Sequence, residues 1–270
     1  MKKFELTTEF ITNALGKKLF RIKALVEFGS VKAGELGGYA EKEENISQDG
    51  NAWVSGDARV YGNAWVSGDA RVYGDAWVHG NAKVFGNAEV YGDAKVFGNA
   101  WVSDDACVYG DAKVFGNAWV SGDALVFGNA KVFGNAWVSD DACVYGDAKV
   151  FGNAWVSGDA LVSGNAKVFG NAEVYGDTEV SGDAKVSDNA EVSGDADYAL
   201  VKGFGAEFRC TTFYRDKNKK IMVNCGCFHG DLEAFRKQVK ETRSGKIAKE
   251  YLMIADLMEY HFTSEGSNNE

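Results

Sequence analysis

Proline is absent from the 270 residues of this chain, although glycine occurs 33 times. Collagen is excluded, because a collagen chain needs proline and a glycine at every third position. No apolar run approaches the roughly 18 residues of a membrane-spanning helix, and residues 1–5 lack the apolar stretch of a signal peptide. We therefore expect a soluble, cytoplasmic protein that makes no contact with a membrane.

Cysteine and positive charge are also scarce. The five cysteines are an odd number in a chain without a secretion signal, which favours reduced thiols over a disulfide framework. The 39 acidic residues outnumber the 29 basic ones and leave a formal net charge of −10. This excess opposes nonspecific binding to nucleic-acid phosphates, so no direct contact with nucleic acid is expected.

A six-residue repeat dominates what is present. Valine occupies every sixth position from Val54 to Val192, 24 times in succession, and alanine stands two residues before each valine except at Thr178. Glycine, or aspartate at three positions, follows two residues after each valine, and asparagine or aspartate comes next. Residues two apart in an extended segment share one face, whereas glycine and Asn/Asp turn the chain. The pattern predicts short strands that coil in parallel and bury alanine and valine.

The outward residues repeat with a longer period of 18 residues, which corresponds to three strands per turn. Lysine recurs at 95, 113, 131, 149, 167 and 185, and tryptophan at 101, 119, 137 and 155. The prediction is a mainly β fold, a triangular parallel β-helix, with about eight coils in residues 49–198.

These repeats resemble the hexapeptide-repeat family, in which a small residue precedes an aliphatic residue by two. The segments Leu19–Leu25 and Val31–Tyr39 are similar to those of uncharacterised YdcK-like bacterial β-helix proteins. The resemblance implies a left-handed coil and favours a homotrimer; the period alone implies neither. The similarity to YdcK-like proteins brings no established activity with it.

The flanking sequence predicts two further parts. Residues 1–48 read as a small strand element and a polar capping turn, which would cover an otherwise unpaired strand edge. Residues 199–270 read as an α+β domain, with two strands in 206–227 and amphipathic helices at about 231–242 and 246–262. This domain either caps the end of the β-helix or forms a separate binding module.

An enzyme is the first alternative to a scaffold. Many hexapeptide-repeat proteins are acyltransferases, and the resemblance therefore implies a histidine base and a loop that protrudes from the coil. The repeats contain no insertion, and His79 is their one histidine, in the same column as Tyr61 and Phe97. His79 is thus either a catalytic base or an ordinary ladder residue, and a hexapeptide-type acyltransferase remains the alternative function.

A metal site is the second alternative. Cys210, Cys225, Cys227 and His229 supply the sulfur and nitrogen ligands that zinc prefers. The usual pair of cysteines with two residues between them is missing, since only Gly226 separates Cys225 from Cys227, and Cys210 lies on another predicted strand. We therefore predict no metal and no other cofactor, and interpret these thiols as buried or incidental.

Asparagine and aspartate form columns at the three corners. One column consists of asparagine alone and predicts a ladder of amide hydrogen bonds along the rod. The aspartates are interpreted as turn residues, as Ca²⁺ ligands, or as an acidic nucleic-acid mimic of prophage origin. The last interpretation rests on the excess of acidic over basic residues in 49–198, which is 22 against 9.

The outer aromatic rows are the predicted binding face. Its residues are Trp101, Trp119, Trp137, Trp155, Phe97, Phe115, Phe133 and Phe151. Such rows either stack on themselves, pack against another copy, or bind a protein or a flat ligand such as a sugar. The sequence thus predicts a non-enzymatic β-helical scaffold that presents flat aromatic and acidic faces for self-association or partner binding.

Overall fold

The computed structural model describes residues 2–205 and 208–263. Strands β1 (Phe4–Thr12), β2 (Lys18–Ala24) and β3 (Leu36–Ala40) come first. Within the described residues, 24 two-residue strands follow, each a valine and the residue before it, from β4 (Trp53–Val54) to β27 (Glu191–Val192). They form a parallel β-solenoid, which confirms the predicted fold class; its handedness stays a prediction.

The interior of the solenoid is built from the valines and alanines of the repeat. Every valine from Val54 to Val192 is at most 1% exposed, as the alternation of the short strands predicts. The exceptional Thr178 is equally buried, and its hydroxyl donates to the carbonyl of Tyr175 at 2.8 Å. The one polar side chain at an alanine position is therefore satisfied.

Strands pair with their equivalents one turn later, at the predicted spacing of 18 residues. Lys95 pairs with Lys113, Trp101 with Trp119, and Cys107 with Leu125, one pair from each of three parallel sheets. The solenoid has about nine turns rather than eight. The additional turn arises because residues 39–46 already pair in parallel, Ala40 with Val60 and Ile46 with Val66.

The predicted asparagine ladder is present at the corner that follows the sheet of Lys95. Each side-chain amide donates to the side-chain oxygen of the asparagine one turn later, over 2.9–3.3 Å. The members of the ladder are Asn63, Asn81, Asn99, Asn117, Asn135, Asn153, Asn171 and Asn189. Because every rung joins consecutive turns, the ladder holds the turns in register.

Replacing Asn117 by aspartate should weaken this ladder. The amide of Asn117 donates to the Oδ1 of Asn135, and a carboxylate would set two acceptors against each other. We expect a loss of about 1 kcal/mol in the free energy of unfolding and a melting temperature lower by about 2–4 °C. Thermal unfolding followed by circular dichroism measures this loss of stability, with Asn117→Gln as the control. An unchanged melting temperature of the aspartate variant would contradict the ladder's role.

Side chains of the N-terminal segment cover the first turn. The Asn45 amide donates to the carbonyls of Gly62 and Ala64, and the Lys3 ammonium donates to the carbonyls of Gly50 and Ala52. These carbonyls would otherwise form an open strand edge. Long polar side chains of the N-terminal segment therefore reach over this edge and bond its carbonyls.

An antiparallel sheet closes the other end. Its strands are β28 (Tyr198–Phe204), β29 (Arg209–Arg215), β30 (Ile221–Cys225) and β31 (Phe228–Asp231), followed by helices α1 (Leu232–Thr242) and α2 (Gly245–Thr263). Asn224 donates to the carbonyl of Lys185, and the amide of Lys185 donates to the Thr212 hydroxyl. The sheet thus satisfies the last turn of the solenoid.

The two helices pack on this sheet through a second core, which contains Phe213, Val223, Phe235 and Met258. Both predicted helices are confirmed to within about one residue at each end. Two of the four strands, β28 and β31, lie outside the stretch that the sequence predicted. In the part of the chain that the structure describes, no helix has the length and apolar character needed to cross a bilayer.

Candidate interaction surfaces

The three sheets give the solenoid three outer faces with different side chains. The lysine face carries the lysine row and a row of phenylalanines two residues later. The tryptophan face carries the tryptophan row and a row of serines. The cysteine face carries Cys107, Leu125, Cys143 and Leu161 beside a tyrosine and phenylalanine row. All five cysteines of the chain are free thiols.

Aromatic rings on the lysine face stack on each other. Phe97, Phe115, Phe133 and Phe151 follow one another with ring centroids 4.9 Å apart and ring planes within 2° of parallel. Their faces are therefore largely covered by their neighbours in the row. Self-stacking, one of the alternatives that the sequence left open, describes this row.

The tryptophan row is more exposed. Trp119 and Trp137 are stacked at 5.0 Å, and Trp137 and Trp155 at 5.5 Å, whereas Trp101 meets Trp119 edge to face. Trp137 remains 39% exposed and Trp155 44% exposed. Stacking thus leaves a substantial part of these indoles in contact with water.

The serine row explains how the tryptophans are oriented. The indole nitrogens of Trp119, Trp137 and Trp155 donate to serine hydroxyls 16 residues earlier, at 3.3–3.4 Å. Because the one polar atom of each of these indoles is already bonded, the exposed remainder is apolar. The alternation of Trp and Ser in the sequence was the signal for this bond, and sequence reasoning missed it.

A shallow groove of about 690 Å³ runs along the lysine face, beside the corner that precedes the lysines in the chain. We call it the lysine groove. It is lined by Lys95, Lys113, Lys131, Lys149, Lys167, Asp93, Asp111, Asp147, Asn129 and Asn165. Among the described residues, no carboxylate lies within ion-pair distance of Lys113, Lys131, Lys149 or Lys167. Sequence reasoning found the 18-residue lysine period but did not recognise these cations as unpaired.

A second acidic corner lies between the tryptophan face and the cysteine face. Its exposed members in the middle of the rod are Asp105, Asp123, Asp141, Asp159 and Asp177, which we call the acidic corner. A hydrogen bond to Asp177, together with the repulsion between the two groups, raises the pKa of Asp159. In the described part of the chain no lysine, arginine or histidine pairs with these five carboxylates.

His79 lies in the aromatic row of the lysine face. Its ring is stacked between Tyr61 at 4.7 Å and Phe97 at 5.1 Å, nearly parallel to both. Burial, and then the charge of Lys95, lower its pKa. The arrangement is that of a ladder residue, one of the two interpretations that the sequence left open for His79.

The structure does not bring the candidate zinc ligands together. His229 Nε2 lies 2.6 Å from Asp188 and 3.2 Å from the Tyr214 hydroxyl, while Cys225 accepts from the Thr211 hydroxyl. Among the described residues, no group of three or more His, Cys, Asp or Glu side chains has an arrangement that could hold a metal ion. His229 therefore joins the closing sheet to the last turn.

A comparison with known protein families finds a β-solenoid repeat within the repeat region of this chain. The family model of the YdcK beta-solenoid repeat matches residues 52–68 and 66–80. The matched residues lie within the first turns of the solenoid and outside the N-terminal segments 19–25 and 31–39. No curated protein matches the chain. Together with the parallel solenoid described above, this match supports a β-solenoid repeat protein that is similar to YdcK.

Proposed function

We propose that this protein is a non-enzymatic scaffold, a rod that associates with further copies of itself through its flat lateral faces. The observation that carries the proposal is the row of partly exposed indoles at Trp137 and Trp155. Contiguous exposed apolar surface on a folded protein usually marks a contact site. The bonded indole nitrogens favour an apolar partner surface over a polar ligand.

The shape of the faces supports a second copy as that partner. The described turns of the repeat are short and uniform, and no segment is inserted between them. A neighbouring rod repeats with the same axial distance, about 4.9 Å in the stacked phenylalanine row. Side chains of two copies therefore stay in register along the whole contact, whereas a ligand with another period does not.

Sedimentation velocity of the full chain tests the proposal. We expect species at multiples of 29.2 kDa at micromolar concentrations. Replacing Trp137 and Trp155 together by serine should raise the dissociation constant at least about tenfold, since each lost ring contact contributes roughly 1 kcal/mol. The reason is that both substitutions remove exposed apolar surface while the buried valines stay unchanged.

A matched control removes apolar surface elsewhere. Met253 and Leu257 on α2 are 60% and 58% exposed, and serine at both positions should leave the sedimentation unchanged. A wild-type chain that sediments as a monomer would contradict self-association. Equal weakening by the control pair would contradict the role of the tryptophan face.

A further inference from the structure

We propose that a cavity on the cysteine face binds a free aromatic amino acid, with its ring on Tyr73, its carboxylate on Arg71 and its ammonium group beside Glu35. The cavity lies where the loop of residues 25–35, between β2 and β3, meets the first turns of the solenoid. The inference goes beyond the proposed function, which uses the tryptophan face and does not involve this cavity.

The cavity lies between two parts of the chain and has a volume of about 270 Å³. Gly29, Val31 and Glu35 of the loop line one side, and residues of the first turns line the other. The loop is held close to the solenoid, since a Cβ added to Gly29 would lie 3.3 Å from the Cβ of Asn51. Small-molecule sites are usually crevices of about 300–1,000 Å³, so this cavity suits a small ligand.

The ring of Tyr73 stands at the start of an aromatic stack. Tyr91 stacks on it with ring centroids 4.7 Å apart, and Tyr109 stacks on Tyr91 at 4.9 Å. The position one turn before Tyr73 is Ser55, which has no ring, and both Ser55 and Tyr73 line the cavity. Among the described residues, one face of the Tyr73 ring is thus without an aromatic neighbour, on the side of the cavity. A flat ligand ring placed there would continue the stack at a favourable distance.

Arg71 supplies the positive charge of the cavity. Among the described residues that line the cavity it is the one cation, and no described carboxylate lies within ion-pair distance of it. Glu89 is its strand partner one turn later, but accepts a hydrogen bond from the Tyr73 hydroxyl at 2.9 Å. The exposed guanidinium therefore keeps its donors for a ligand carboxylate, which such a planar group binds through two parallel bonds.

An acidic group and an apolar wall complete the site. The exposed carboxylate of Glu35 accepts from the backbone amide of Lys32 at 3.1 Å through one oxygen, so its other oxygen can accept from a ligand ammonium group. Trp53 lines the cavity and is 6% exposed. Phe4 and Phe28 both meet its indole edge to face, which fixes this wall in place.

The combination of charges and size selects the class of ligand. Two carboxylates, Glu35 and Glu89, line the cavity beside Arg71, so they repel a ligand that carries only a carboxylate, and the guanidinium repels one that carries only an amine. An amino acid offers one group of each sign, and an aromatic one adds a ring for Tyr73. A volume of 270 Å³ corresponds to about nine water molecules at ~30 Å³ each, which accommodates a single amino acid.

Equilibrium dialysis of the full chain against labelled L-phenylalanine tests the site. We expect saturable binding of one molecule per chain at millimolar or lower concentrations. Three competitors each lack one group, since glycine has no ring, phenylpropionate no ammonium group and phenethylamine no carboxylate. Each should compete at least about tenfold less well than unlabelled L-phenylalanine, because each loses one of the three contacts.

Two pairs of variants locate the ligand. Ser55→Tyr places a ring of the chain itself where the ligand ring would lie and should abolish binding, whereas Ser55→Ala leaves the cavity open and should bind as wild type does. Arg71→Met should weaken binding at least about tenfold, because it removes the partner of the carboxylate. The matched control is Arg243→Met, which removes an exposed guanidinium just after α1 and should leave binding unchanged.

The remaining outcomes decide whether the inference stands. Circular dichroism shows that each variant is folded. A wild-type chain without saturable binding, or binding that Ser55→Tyr leaves intact, would overturn the cavity as the site. Glu35→Gln should weaken the binding of L-phenylalanine and leave that of phenylpropionate no weaker; the same effect on both would overturn the ammonium contact. Sedimentation of the ligand-free chain measures self-association separately, so the two proposals can fail independently.

Discussion

Aspartate in place of Val132 is expected to lower the free energy of unfolding by at least about 4 kcal/mol. Val132 lies in the middle of the solenoid, fully buried, and pairs with Val114 on one side and Val150 on the other. The interior around it consists of valine and alanine side chains, which cannot hydrogen-bond a carboxylate. An isolated buried charge is far more unfavourable than the loss of one side chain's packing.

Urea and thermal unfolding, followed by circular dichroism, measure this effect. The control is Val132→Thr, which keeps the branched shape and adds one hydroxyl, with an expected loss of about 1–3 kcal/mol. Each turn of a solenoid contacts only its neighbours, so the damage should be local. Limited proteolysis should cut the aspartate variant near residue 132; a resistant variant of wild-type stability would contradict the structure of the interior.

Valine in place of Gly116 is expected to destabilise the protein by about 2–4 kcal/mol. Gly116 has φ +76°, a conformation that a β-branched residue rarely adopts. A Cβ added there would lie 2.9 Å from the backbone nitrogen of Gly134, one turn later. Because the obstructing atom belongs to the backbone, the two turns must separate to make room.

The turn itself supplies the control for this prediction. Asp104 replaces glycine at the same position of the repeat, with φ 59°, and its carboxylate accepts from the Ser103 hydroxyl and the Gly122 amide. Gly116→Asn should therefore be tolerated better than Gly116→Val, since Asn and Asp adopt positive φ most readily. Equal melting temperatures for the two variants would contradict the role of the positive φ, because both side chains add the same Cβ.

The repeats could be predicted closely because their information is local. Val, Ala and the glycine turn recur within six residues, and every strand pairs with the same residue types one turn later. The asparagine ladder followed from the same 18-residue period. The number of turns was underestimated, because residues 39–46 pair with the solenoid although their sequence departs from the repeat.

The candidate surfaces could be predicted only in part. The sequence identified the tryptophan and phenylalanine rows, but exposure depends on how each ring lies against the next turn. Phe115 and Phe133 cover each other, whereas Trp101 meets Trp119 edge to face and Trp155 remains 44% exposed. The pairing of indole nitrogens with serines 16 residues earlier decides this orientation.

The amino-acid sequence by itself determined the solenoid, the burial of its valines and the columns on its surface, because a residue and its neighbours within a few turns are enough to specify them. Only the tertiary structure decided which charges remain unpaired and how the ends are closed. Among the described residues, the geometry of the corners leaves Lys131 and Asp141 without an ion-pair partner. Asn224 reaches Lys185 only through the folded sheet. Contacts between residues far apart in the chain, and the side-chain geometry between turns, are not encoded by a repeat period.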